Sequence, residues 1–307
     1  MGILAVGSVA FDAIKTKYGQ VDKVIGGSAT YFSLAASYFT DVRIVAVVGR
    51  DFTAEYESVL TKRGICTKGI QRKDGKSFFW GGEYGENLNE AKTLFTHLNV
   101  FESFDPQIPQ EYRDSDILFL GNIDPVLQTA VRKQMDGVRL VGGDTMNFWI
   151  NGKREDLANT LKSIDILLIN DTEAKMIALD SSVPRAAKKV LAMGPKALVI
   201  KHGEYGATIF LREGAFGIHH GPFRAPTLPI EEVVDPTGAG DSFAGGFMGY
   251  IASQAEINRE VLKRAMFYGG VMGSFAVEKF GPQRLTELTR DEIDARFQMF
   301  RELTHLG

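Results

Sequence analysis

The chain has little cysteine, little proline, no long apolar run and no excess of one charge. A single cysteine, Cys66, stands among 307 residues, so no internal disulfide can form, and no residues elsewhere complete a Cys/His zinc pattern. A reducing cytoplasm is the expected compartment. Proline is held to 10 positions, and no repeat or low-complexity tract is present. No apolar stretch approaches the roughly 18 residues that a membrane-spanning helix needs. The start, Met1-Gly2-Ile3-Leu4-Ala5-Val6-Gly7, carries no basic n-region and meets acidic Asp12 early, so it is expected to be a first buried strand rather than a signal or transit peptide. Lysine and arginine number 35 against 38 aspartates and glutamates, a formal charge of -3 without like-charge runs. Neither a nucleic-acid partner nor a polybasic membrane surface fits that balance.

With 44% hydrophobic and 24% charged residues, the composition is that of an ordinary globular protein. At this length about 75% of the unfolded chain's surface can be buried. The one surplus is glycine, 33 residues, or about 11% against roughly 7% on average.

Short apolar runs recur at 43–48, 116–120, 138–141, 164–169 and 197–200. Near-continuous hydrophobicity predicts strands covered on both faces, hence a mostly parallel sheet in an α/β sandwich. Helical composition fills 28–39, 51–63, 125–135, 172–179 and 185–193 between them, and 240–277 reads as helix after helix. Two regions, 9–25 and about 66–100, instead alternate apolar with polar residues around the tip Gly85-Glu86-Asn87-Leu88-Asn89-Glu90. They are expected to form a small second sheet, discontinuous in sequence, over the main one, with ordinary edge hairpins as the alternative.

The most informative stretch is Asp235-Pro236-Thr237-Gly238-Ala239-Gly240-Asp241, followed by Phe243, Phe247, Met248 and Ile251 at helical spacing. Gly238, Ala239 and Gly240 therefore sit at a helix N-terminus, where free N–H groups and the dipole make an anion site that a phosphate can approach closely. Asp241 stands in the first turn. It either complements the dipole or takes a proton from an alcohol that attacks a phosphoryl group lying there. Phe243 occupies the place of the third glycine in a dinucleotide fingerprint, and no Gly-x-x-x-x-Gly-Lys-Ser/Thr is present. A nicotinamide oxidoreductase and a P-loop enzyme are thereby disfavoured.

The stretch from Asp235 to Asp241 resembles the C-terminal signature of the ribokinase-like carbohydrate and nucleoside kinases, the PfkB family. Further elements occur in family order: Asp12 after the first strand, Gly26-Gly27 before the first helix, Asn170-Asp171-Thr172-Glu173 after a central strand, and Lys201-His202-Gly203-Glu204-Tyr205-Gly206 after the next. The likeness covers nearly the whole chain. It implies one kinase domain over 1–307, a three-layer α/β/α sandwich with a β-sheet lid, transferring the γ-phosphoryl group of ATP with Mg²⁺ to a substrate hydroxyl. Matching positions make Asp241 the catalytic base and Gly238, Ala239 and Gly240 its anion hole. Asp12, Gly26 and Gly27 would bind substrate. Asn170 and Glu173 would orient Mg²⁺ near ATP, although Asn-x-x-Glu is also a helix capping box. Lys201 and Gly203 belong to the stretch that resembles the ATP-binding segment; Lys201 meets phosphate or is an exposed strand-end lysine. Asp235 matches a ligand of a monovalent cation such as K⁺, or pins the turn through backbone bonds. His202, His219 and His220 show no metal spacing.

One departure concerns the acceptor. Where many sugar-kinase relatives have an asparagine that binds a substrate hydroxyl, this chain has Tyr31. The phenol remodels the pocket and favours a polyol or nucleoside over ribose. Phe78, Phe79 and Trp80 either stack on a nucleobase or form core. No arginine cluster appears in the lid, and Glu83 there would repel a phosphosugar, so an unphosphorylated acceptor is expected. The alternative is a silent sugar or nucleoside sensor, against which the intact Gly238-Ala239-Gly240-Asp241 argues. Exposed lid edges suggest a homodimer joined through the lid.

Overall fold

A computed structural model describes residues 2–219 and 221–304, so His220 lies outside the described residues. In chain order the elements are β1 (Ile3–Val6), β2 (Ala10–Thr16), β3 (Gly19–Gly26), α1 (Ser28–Ala36), β4 (Val42–Val48), α2 (Ala54–Thr61), β5 (Cys66–Arg72), β6 (Phe79–Tyr84) and β7 (Ala91–His97). There follow β8 (Ile117–Leu120), α3 (Pro125–Lys133), β9 (Leu140–Gly143), α4 (Asn147–Gly152), α5 (Arg154–Leu161), β10 (Ile166–Asn170), α6 (Asp171–Ala178), α7 (Val183–Ala192) and β11 (Ala197–Lys201). The chain closes with β12 (Ala207–Leu211), β13 (Phe223–Ala225), α8 (Ala239–Ala252), α9 (Arg259–Ala276), α10 (Gln283–Glu287) and α11 (Arg290–Glu302).

Nine strands form one sheet in the order β13-β12-β11-β10-β9-β8-β1-β4-β5, with every pairing parallel except β11–β12 and β12–β13, because β12 alone runs in the opposite direction. Each apolar run feeds both faces. Ile3 and Ala5 join a core with Phe32 of α1, Phe247 of α8 and Met272 of α9. Leu4 and Val6 join the opposite core with Val131 of α3, Leu161 of α5 and Val190 of α7. That two-sided demand is why these strands read as continuous rather than alternating hydrophobic segments. The Phe32 ring stacks on Phe119 at 3.8 Å between centroids, and burial of such side chains stabilises by about 1.5–3 kcal/mol each. Helix α8 lies tightly between its neighbours because Gly245 faces the Phe32 carbonyl, where a Cβ would come within 2.3 Å.

The predicted α/β/α sandwich with a second small sheet is observed, with one correction to its boundaries. Residues 66–72, expected in the small sheet, form β5 and pair with β4 at the edge of the large one. The small sheet has the order β3-β2-β6-β7, with β2 and β6 parallel and the outer pairs antiparallel. Alternation marks a strand with one wet face, and an edge strand of the large sheet has that property too. Helices α4 and α5, between β9 and β10, were not anticipated. Among the described residues no helix is long and apolar enough to cross a membrane.

Candidate active site

The residues singled out from the sequence gather where the parallel strands end, at the C-terminal edge of the large sheet and under the small one. Asp12, on β2, is 5% exposed. Its carboxyl lies on Gly26, where a Cβ would come within 1.9 Å of Oδ2, and the Gly27 N–H donates to it. Glycine at 26 is thus required first by Asp12, before any substrate arrives. Burial, then the charges of Asp235 and Asp241, push the Asp12 carboxyl up to about 8.

Gly238 adopts a left-handed conformation, φ 73°, and caps α8. A Cβ there would strike the Tyr31 ring at 2.3 Å, so the phenol found in place of the asparagine packs directly on the expected anion hole. Tyr31 is 1% exposed, and its hydroxyl has no hydrogen-bond partner among the described residues. Burial, with the nearby carboxylates, holds that hydroxyl protonated well above its ordinary range. The Ala239 N–H already donates to the Pro236 carbonyl at 3.2 Å. The N–H groups of the turn left without a backbone acceptor among the described residues are those of Gly238, Gly240 and Asp241.

The two aspartates of the motif differ sharply. Asp235 is fully buried, its Oδ1 accepting from the Thr237 N–H at 2.8 Å and its Oδ2 from the Gly281 N–H at 2.8 Å. It pins the turn, as one of the two sequence readings held. Asp241 accepts no hydrogen bond through its side chain among the described residues. Burial and the neighbouring Asp144 raise its carboxyl to about 7, against the opposing pull of Lys201.

Asn170 and Glu173 form the capping box of α6: Asn170 Oδ1 accepts from the Glu173 N–H at 2.8 Å, and Glu173 Oε2 accepts from the Asn170 N–H at 2.8 Å. Glu173 is 8% exposed, and burial followed by Asp144 raises it to about 7. Its Oε1 accepts nothing among the described residues. Lys201 is no exposed strand-end lysine. Its Nζ sits 3.6 Å from Asp144 Oδ2 and would lie 3.0 Å from a Cβ on Gly240. Burial alone would lower its pKa, but Asp144, Glu173 and Asp241 together hold it up. Gly203, with φ +56°, meets the side chain of Asn89 from the tip of the β6–β7 hairpin.

Sequence reasoning missed Asp144. It follows Gly142-Gly143 at the end of β9, and only its place at a C-terminal strand end, beside Asn170 and Lys201 on the next strands, could have signalled it. Missed too were the contacts that tie the small sheet to the motif: Thr16 Oγ1 donates to the Val234 carbonyl at 2.9 Å, and the Tyr84 hydroxyl lies 3.2 Å from Thr237 Oγ1. The aromatics at and before β6 are engaged by protein neighbours, Phe79 also packing against the core of the large sheet. Phe78 stacks on Phe101 and Phe79 meets Phe95 edge-on, while the Trp80 indole reaches Thr93. Glu83 pairs with Lys15 at 2.7 Å, which offsets the repulsion expected of it. His202 contacts Thr208 and His219 contacts Glu213, and no cluster of three metal-binding side chains occurs among the described residues.

A half-buried carboxylate without a side-chain partner among the described residues, beside free helix-terminal N–H groups and a half-buried lysine, is an arrangement chemically able to move a proton and hold an anion. Residues 2–289 match the family described as pfkB family carbohydrate kinase. The chain belongs to that family. It is a phosphotransferase. A cytidine kinase of Thermococcus kodakarensis is 29% identical over 283 residues, covering 86% of this chain and 97% of the relative. The structure of Burkholderia thailandensis nucleoside kinase in complex with inosine superposes with a TM-score of 0.77 at 23% identity, over 97% of this chain and 98% of that one. Thermotoga maritima ribokinase gives a TM-score of 0.75 at 21% identity, over 97% and 99%. The pfkB chain has the ribokinase fold.

Proposed function

We propose that this pfkB protein transfers the γ-phosphoryl group of ATP to a hydroxyl of an unphosphorylated nucleoside, with Asp241 as the base. The unpartnered Asp241 carboxylate at the N-terminus of α8 is the observation that carries this reading. In a loose phosphoryl-transfer transition state, catalysis is mostly positioning and charge stabilisation. The N–H groups of Gly238, Gly240 and Asp241 would meet the transferring phosphoryl, with Lys201 behind them. Asp12 accepts a hydrogen bond from an acceptor hydroxyl. Asp241 takes the proton of the attacking one. Asn170, Glu173, Lys201 and Gly203 form the nucleotide side, while Gly26, Gly27 and Tyr31 wall the acceptor side. The small sheet acts as a lid that excludes water, tied down by Thr16 and Tyr84. A nucleoside is favoured over a free sugar by Tyr31 and by the cytidine and nucleoside kinases the chain is similar to.

Charge supports a metal. Asp144, Glu173 and Asp241 face Lys201, and Asp12 lies near Asp235 and Asp241, an arrangement that repels a polyphosphate unless cations accompany it. Mg²⁺ supplies charge neutralisation on the phosphates, and Glu173, through its free Oε1, and Asn170 would hold it by way of its water shell. Asp235, buried and partnered only by N–H groups, would gain charge balance from an adjacent monovalent cation such as K⁺. A cytoplasmic location and a homodimer through the lid edges belong to the same reading.

ADP release, followed with cytidine, inosine, adenosine, pentoses, hexoses and inositols, tests the proposal, with the product identified by mass spectrometry. Nucleoside-dependent ADP and a nucleoside monophosphate are expected. ADP formed with inositols or sugars alone would move the acceptor elsewhere, and no ADP with any acceptor would remove the kinase reading itself.

A further inference from the structure

The opposite end of the same strands holds a second feature that phosphoryl transfer does not use. An open cavity of about 680 Å³ is lined there by Arg132, Lys133, Lys162, Lys196 and Arg212, with Asp165 as its sole acid. Asp165 and Lys196 precede β10 and β11, whose far ends are Asn170 and Lys201. Five strand steps put the two places roughly 16 Å apart.

Cations at this edge have an ordinary duty, because α3, α5 and α7 end here and helix C-termini carry partial negative charge. Each is worth about half an elementary charge, so three helix ends and Asp165 together offset about half of the five cations. Nor are the donors used up. Arg132 gives one N–H to the Met135 carbonyl at 2.6 Å, Arg212 one to the Gly194 carbonyl at 3.2 Å, Lys162 one to Asn159 at 3.0 Å, and Lys196 pairs with Asp165 at 2.8 Å. A guanidinium carries five N–H donors and an ammonium three. Lys133 has no ion pair among the described residues. The cations converge on one concavity in a chain whose formal net charge is -3, and its volume lies within the roughly 300–1,000 Å³ of small-molecule sites.

We infer that this cavity is a second anion site, remote from the site of phosphoryl transfer, that takes a phosphorylated small molecule. The two guanidinium groups suit phosphate oxygens and the lysines add charge without further geometry. The shared chemistry is a phosphate ester or polyphosphate, which a nucleoside monophosphate or free nucleoside triphosphate would both supply.

Calorimetric titration of the full chain with cytidine 5′-monophosphate and, separately, with inorganic tripolyphosphate, both without Mg²⁺, tests this. The reference is the double variant K133E/K162E, in which both changes are exposed and remote from Asp241. Wild type should show binding at this site that weakens at least tenfold in the double variant and in Arg212→Ala, and that falls steeply with salt, while kcat without added effector stays unchanged. Stronger binding of the monophosphate would point to a product, and stronger binding of tripolyphosphate to a nucleotide. Binding of both probes that is the same in all three proteins, or no binding beyond the transfer site, would overturn the inference and leave the cations as partners of the helix ends.

Discussion

The two ends of the large sheet carry opposite charge on the same strands. At the C-terminal end the carboxyls of Asp144, Glu173 and Asp241 act on Lys201, with Asp12 and Asp235 nearby, and at the N-terminal end five cations line one cavity with Asp165. In a parallel α/β fold the C-terminal end is where loops and helix N-termini make ligand sites, and helix N-termini already favour anions there. Finding acids at that end is therefore informative: burial, and for Asp12, Glu173 and Asp241 also a neighbouring carboxylate, raises their pKa and creates the basicity that an ordinary aspartate lacks. The N-terminal end has the reverse logic, with cations beside helix C-termini in numbers that exceed what the dipoles offset.

The largest expected effect breaks the acidic end. Asp241→Asn should lower kcat by roughly 10² to 10⁴, the usual worth of a general base, with little change in the ATP KM, as measured by steady-state ADP release. Next comes a paired test along one strand. Lys201→Met should raise the ATP KM or lower kcat by about tenfold to a hundredfold, as expected for losing a charged hydrogen bond. Lys196→Met, at the other end of β11, should leave both constants within about twofold.

Much of that contrast was legible in the sequence only in part. The Asp235 to Asp241 motif, Asp12, Asn170, Glu173 and Lys201 are local patterns tied to strand ends, and the structure gathers them. Asp144 was not legible, because a lone aspartate after two glycines has no motif of its own and acquires meaning only through β9 lying beside β10 and β10 beside β11. The same holds for β5, whose alternation suits an edge of either sheet, and for the basic cavity, whose six charged residues come from four separate stretches of the chain. Asp235 and Asp241 look alike in the motif; only the N–H groups of Thr237 and Gly281, the latter 46 residues on, separate a turn-pinning carboxylate from a free one.

Two smaller effects sharpen the comparison. Asp12→Asn should raise the acceptor KM about tenfold at pH 9, where the Asp12 carboxylate is charged, since a charged hydrogen-bond acceptor contributes about 1.5–3 kcal/mol. The same change should raise the melting temperature of the ligand-free protein. Asp12 holds its proton up to about 8 when folded, against an ordinary 3.8. The folded state thus binds more protons between those values, and the destabilisation due to Asp12 is absent below about pH 4, grows as pH rises, and is complete above about pH 8. Thermal unfolding of both proteins from pH 5 to pH 9 should show the advantage of Asp12→Asn growing with pH; a constant difference would mean that Asp12 is not buried as a strained carboxyl.

The most direct measurement is the pH dependence of nucleoside-driven ADP release from pH 5.5 to 9 in wild type and Asp241→Asn. With the Asp241 carboxyl at about 7, activity should rise with pH through that region as the base loses its proton, and the rise should vanish with the activity in the variant. A flat wild-type profile, or an asparagine variant that keeps both the rate and the rise, would contradict the assignment of Asp241 as the base.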